Sequence, residues 1–96
     1  MKFIGTWQIH EGKIQQAYDV FAKMTPAQDA ADRGKEIKLI GRWHDLASGR
    51  GALICETDSA EALQKWSLNW NGILNCTWVP AVDDNEARTL YKARAR

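Results

Sequence analysis

The sequence predicts an α+β fold: one four-stranded antiparallel sheet with helices packed on one of its faces. Three observations carry this. Four segments alternate apolar and other residues with the period of a strand, and two segments repeat apolar residues with the period of a helix. Their order along the chain is β-α-β-β-α-β, the ferredoxin-like pattern, whose right-handed split crossovers close a sheet of strand order 4-1-3-2. At 96 residues and 10.9 kDa the chain has room for one such domain, 1–96, and no second.

Residues 2 to 9 set Phe3, Gly5, Trp7 and Ile9 against Lys2, Ile4, Thr6 and Gln8, which is a strand with one strongly apolar face. From Lys13 to Met24 the stripe Ile14, Ala17, Tyr18, Phe21 predicts an amphipathic helix, stopped by Thr25-Pro26. The polar stretch up to Lys35 reads as a long connection with room for a helical turn. Ile37 to His44 is the second strand. Simple alternation puts Ile37, Leu39, Gly41 and Trp43 on one side and Lys38, Ile40, Arg42 and His44 on the other. Turn residues follow, and Ala52 to Thr57 resumes an extended run, so the second and third strands form an antiparallel hairpin. Asp58 and Glu61 read as a capping box for a helix that turns Leu63, Trp66 and Trp70 inward, with Gly72 as its C-cap. Leu74 to Val82 is the fourth strand, placed at an edge by Pro80, and Asp83, Asp84 and Glu86 open a short C-terminal helix at about 84–95.

Composition excludes several functions. A net charge of +1 offers no field for nucleic acid, and the basic end made by Arg88, Lys92, Arg94 and Arg96 reads as a helix tail favoured by the macrodipole. No apolar run approaches the 18 or so residues of a membrane span, and MKFIGTW lacks the apolar core of a secretory signal, so a cytoplasmic protein is expected. Cys55 and Cys76 are expected as reduced thiols. Alternation sends them to opposite faces, about 10 Å apart, beyond disulfide reach.

Five tryptophans in so short a chain are the strongest pointer to a site. Trp7, Trp43 and Trp78 are expected on the helix-facing side of the sheet, with Phe3, Ile37, Leu39 and Cys76, and Trp66 and Trp70 on the helix above them. Plain packing and an indole-lined pocket are both open readings; the volume of five indoles in a small domain favours gaps. The other face, with Ile4, Thr6, Gln8, Ile40, Arg42, His44, Thr77 and Val79, is too apolar for free solvent, and a symmetric homodimer would cover it.

Among polar groups, Arg42 and His44 form the best pair for a ligand anchor, a fixed cation two residues from an imidazole. Asn69 flanks Trp70 and is a further candidate. His10 and His44 would make a poor metal pair: with the first two strands expected antiparallel, they end about 20 Å apart. No His or Cys pair has ligand spacing, no phosphate loop or catalytic triad is present, and neither metal nor cofactor is expected.

The segments MKF-x-x-TW at the start, Gly41-Arg42-Trp43-His44, Glu61-Ala62-Leu63 with Trp66, and Pro80 to Asp84 resemble a small domain-of-unknown-function family of dimeric α/β-barrel type, over nearly the whole chain. The resemblance implies a ferredoxin-like subunit that dimerises through its sheet and brings no activity. Proteins of similar fold include cofactor-free monooxygenases of polyketide-like aromatics, haem-degrading enzymes and ligand-binding dimers, and fold alone does not choose among them. The function expected is therefore binding of a small apolar or aromatic molecule by Trp7, Arg42, Trp43, His44, Trp66, Asn69, Trp70 and Trp78. A cofactor-independent monooxygenase and a purely structural module are the alternatives.

Overall fold

The computed structural model describes residues 1–94. Its elements are β1 (Lys2–Ile9), α1 (Ile14–Lys23), α2 (Pro26–Arg33), β2 (Lys38–Asp45), β3 (Arg50–Glu56), α3 (Ala60–Trp70), β4 (Leu74–Ala81) and α4 (Asp84–Arg94). The strands form one sheet in the order β2-β3-β1-β4, every neighbouring pair antiparallel, which is the ferredoxin-like α+β arrangement. Pro80 lies on an edge strand, where its missing N–H costs no ladder bond. The expected end of the last helix, residue 95, and Arg96 lie outside the described residues.

Local chemistry sharpens three boundaries. Thr25-Pro26 ends α1 and also starts a full second helix: Thr25 Oγ1 accepts from Gln28 N at 3.1 Å, Gln28 Oε1 accepts from Thr25 N at 2.9 Å, and Pro26 occupies the first turn. The expected loop is thus mostly helix, closed by Gly34 at φ 93. For α3 the cap is Ser59, whose Oγ accepts from Ala62 N at 3.0 Å; Asp58 instead holds the Met1 ammonium at 3.0 Å. Asn71, not Gly72, caps its end, and it stays right-handed.

The largest correction concerns β2. Leu39 pairs with Cys55 and Gly41 with Ile54, so Ile40 is an extra residue in a β-bulge. Alternation counted straight through the strand is therefore inverted beyond it. Arg42 and His44 sit opposite Leu53 and Gly51 and turn toward the helices; Gly41 and Trp43 turn away. Trp43 is 62% exposed and lies over Gly41 on the open face. Two further expectations fail for reasons of register. Because β1 and β2 both run antiparallel to β3, they are parallel to each other and end on the same side, with Trp7 and His44 ring centroids 5.3 Å apart. Cys55 pairs with Phe3 and Cys76 with Trp7, two positions of like parity on β1, so both thiols face the helices; both are free.

The core beneath the helices has two parts. Ile37, Leu53, Cys55, Leu63 and Trp66 form one, and Ile9, Ala17 and Leu74 the other, while Trp7 and Trp70 pack against both. The opposite face leaves Ile4, Ile40, Trp43 and Val79 exposed.

Candidate functional site

Between the two parts of the core lies a partly open cavity of about 80 Å3, walled mostly by aromatic rings. β1 supplies Trp7, β2 supplies Arg42 and His44, and β4 supplies Cys76 and Trp78; α1 contributes Tyr18 and Phe21, α2 Asp32, and α3 Trp66, Ser67 and Trp70. Glycine makes room for two of the rings. Trp78 lies over its cross-strand partner Gly5, where an added Cβ would meet ring atom Cε3 at 2.8 Å. Trp7 likewise covers its partner Gly51. Trp66 and Trp78 stack at 5.6 Å between centroids with a 33° tilt.

A buried indole N–H needs an acceptor, and here the acceptors come from helices. Asp32 Oδ2 accepts from Trp70 Nε1 at 2.7 Å and from Trp66 Nε1 at 3.2 Å, while Asn69 Nδ2 donates to Asp32 Oδ1 at 3.1 Å. One carboxylate thus ties α2 to both roof tryptophans. Trp78 Nε1 donates to Ser67 Oγ at 2.7 Å, and that hydroxyl donates to Leu63 O at 2.9 Å.

Arg42 is spent within the protein. Its guanidinium forks the Asp29 carboxylate at 3.2 and 2.9 Å and lies 4.8 Å over the Phe21 ring. Arg33 joins the same carboxylate at 3.2 Å. Burial would push the Asp29 carboxyl up, but the two guanidiniums outweigh it and hold it below its ordinary value.

His44 stands at the mouth, within 5.1 to 5.6 Å of the Phe21, Trp7 and Tyr18 rings, centroid to centroid. Its Nδ1 lies 3.1 Å from the Tyr18 hydroxyl. Burial, and then the nearby Arg42 charge, lower its pKa, so the imidazole is neutral at pH 7. Burial raises the Tyr18 phenol, against the Trp7 indole N–H, and raises the Cys76 thiol, against Ser67.

Of the eight residues expected at a ligand site, the fold brings six to this cavity: Trp7, Arg42, His44, Trp66, Trp70 and Trp78. Trp43 lies on the other face of the sheet, and Asn69 is exposed, buttressing Asp32 from outside. The sequence reasoning missed Asp32, Tyr18, Phe21, Ser67 and Cys76 as lining groups. The signal for Asp32 was the Thr25-x-x-Gln28 capping box, which starts a helix and puts Asp29, Asp32 and Arg33 on one side of it. Among the described residues no cluster of three or more His, Cys, Asp or Glu could hold a metal ion, and no helix is long and apolar enough to cross a membrane.

The model of a family described as "Domain of unknown function (DUF3303)" matches residues 1–95. No curated protein matches the chain. Among solved structures, an L-rhamnose mutarotase from Formosa agariphila aligns with a TM-score of 0.49 at 10% identity, over 86% of this chain and 94% of its own.

Proposed function

The chain belongs to the DUF3303 family, and from that premise we propose that it binds a small uncharged molecule in the indole-walled cavity. The observation that carries this is the cavity itself: the N–H groups of Trp66, Trp70 and Trp78 are engaged by Asp32 and Ser67, which leaves their flat apolar rings as walls. At about 10–15 Å3 per water position, 80 Å3 holds roughly five to eight heavy atoms, which favours a single ring over a polycyclic phenol. Among the described residues the one Lys or Arg that lines the cavity, Arg42, is already forked onto Asp29, which favours an uncharged ligand over a carboxylate.

The test is a fragment screen read by the indole N–H resonances. Ligands of this size are expected to shift Trp66, Trp70 and Trp78 and to leave Trp43 in place; a screen that moves only Trp43, or nothing, overturns the reading. We further propose a homodimer that covers Ile4, Ile40, Trp43 and Val79, supported by their exposure on one sheet face. Sedimentation at micromolar concentration is expected to give twice 10.9 kDa, and a stable species at 10.9 kDa sinks it. Two free thiols support a reducing, cytoplasmic setting.

A further inference from the structure

The polar groups around the cavity can be accounted for one by one. Arg42 is forked onto Asp29, Asp32 accepts from two indoles and an amide, and the Ser67 hydroxyl both accepts and donates. Each is engaged by the protein itself. What remains is the Tyr18 and His44 pair, which spends one hydrogen bond on itself and has none at His44 Nε2 among the described residues. The Cys76 thiol also lines the cavity, but burial raises it and it lies against Ser67; the imidazole keeps a second ring nitrogen and the phenol a second hydrogen-bonding direction, so this pair combines titratable chemistry with capacity to spare.

We infer that His44 and Tyr18 form a two-ended acid–base relay that interconverts the keto and enol forms of a small uncharged carbonyl compound. The inference rests on the cavity being a ligand site. In the starting tautomer His44 Nδ1–H donates to the Tyr18 oxygen, which leaves Nε2 as a free base and the phenol O–H as a free acid. Nε2 takes a proton from the carbon beside the carbonyl. The electron pair of that C–H bond becomes the C=C bond, the C=O pair moves onto oxygen, and the Tyr18 O–H proton joins that oxygen. The Nδ1 proton then passes to the Tyr18 oxygen along their hydrogen bond. The ligand has lost a C–H and gained an O–H, and the imidazole is left neutral with its proton on Nε2. Running the steps backward resets the pair, so neither oxidant nor co-reactant is consumed.

Three features of the surroundings suit this chemistry. The relay is uncharged before and after turnover, beside charges that the protein already engages: Arg42 on Asp29, and Asp32 by two indoles and an amide. The imidazole enters the cycle as a base, being neutral under ordinary conditions. Walls made of rings turn a flat carbonyl compound edge-on or face-on to fixed groups, which is the positioning a proton transfer needs.

The experiment uses the full chain in deuterated buffer with cyclopentanone, cyclohexanone and 1,2-cyclohexanedione, following loss of the protons beside the carbonyl by NMR. The same samples report binding through the tryptophan N–H resonances, recorded in ordinary water. Exchange is expected about 100-fold or more above buffer alone. It is abolished in His44→Gln and lowered at least about tenfold in Tyr18→Phe, the variant that keeps the ring and removes only the hydroxyl. The charged or titratable groups acting on His44 are Tyr18 from α1 and Arg42 from its own strand; Asp45, the next residue, projects to the opposite face and is paired to Arg50 at 3.2 Å. Exchange is therefore expected to rise with pH through a midpoint below 6.5, and Tyr18→Phe to lower the exchange rate while ketone binding, read at the tryptophan N–H resonances, is kept, which loss of a merely structural hydroxyl would not do. Binding of these ketones without exchange overturns the relay and leaves the cavity as a binding site. Absence of both overturns relay and binding together, and exchange surviving in His44→Gln removes the imidazole from the chemistry.

Discussion

Asp32 is the single acceptor for two indole N–H groups, so replacing it tests how the cavity roof is held. In Asp32→Ala the Trp66 N–H, on a residue only 7% exposed, loses its partner where water does not easily reach; such an orphan costs about 1–3 kcal/mol. Trp70 is less buried and regains water in part, so its 2.7 Å bond to the carboxylate adds about 0.5–1.5 kcal/mol, and the exposed Asn69 contributes little. The sum, about 1.5–4.5 kcal/mol, is a large share of the roughly 5–14 kcal/mol expected for a chain of this length. Asp32→Asn retains one acceptor oxygen and is expected to recover about half of the loss. Urea unfolding followed by tryptophan fluorescence measures the change, a fall in midpoint on the order of 1–3 M. The indole resonances supply the refutation. Trp66 and Trp70 should move upfield in Asp32→Ala while Trp43, on the other face, stays; a loss under about 1 kcal/mol, or equal movement of all five resonances, would mean that Asp32 is not what holds the roof.

Three further outcomes follow from the same geometry. Gly51→Ala puts a Cβ under the Trp7 ring and 2.5 Å from the Trp43 carbonyl oxygen, an overpacking worth about 1–3 kcal/mol, whereas Gly72→Ala meets nothing within 4 Å; thermal melts should separate them by about 4 °C or more. Arg42→Met leaves Asp29 with Arg33 alone and should cost about 1–3 kcal/mol at pH 7 by urea titration. The depressed Asp29 carboxyl contributes stability that is complete above 3.8 and is lost as pH falls through its lower folded value, so the variant should show a flatter acid limb. Deleting Ile40, 51% exposed and without a partner on β3, should regularise the ladder yet leave Arg42 and His44 facing the helices; loss of the Tyr18 to His44 contact, read from the His44 titration, would refute the bulge assignment.

The strand order and both core-facing helices were legible because alternation and helical spacing are properties of single segments. The face of β2 was not, since one extra residue inverts every side chain after it. The hint was local: Leu39 and Ile40 are consecutive apolar residues followed by Gly41, where regular alternation would separate them. Reading through the bulge put Trp43 on the helix-facing side of the sheet and His44 on the open face, the reverse of what the register gives. Asp32 was hidden for a different reason. A polar stretch after Thr25-Pro26 looks like a loop by composition, and only the reciprocal Thr25 and Gln28 bonds make it a helix that carries a carboxylate to the indoles. Tyr18 and Phe21 had been counted as stripe residues, which they are; that their rings also frame His44 depends on β2, an element remote in sequence.

The pairing of glycine with tryptophan explains why there is a cavity at all. Gly5 and Gly51 remove side chains from the sheet floor directly opposite Trp78 and Trp7, so those rings rest on backbone instead of standing on neighbouring side chains. The floor is lowered and the space above it stays open. On the roof, Trp66 and Trp70 are held by their N–H bonds to Asp32 on α2. Trp66 still meets Trp78 at 5.6 Å between centroids, and the bonds of Trp66, Trp70 and Trp78 to Asp32 and Ser67 take up their N–H donors. A polar ligand atom entering this space therefore meets spare hydrogen-bonding capacity chiefly at Tyr18 and His44, which is why the chemistry of the site turns on that pair.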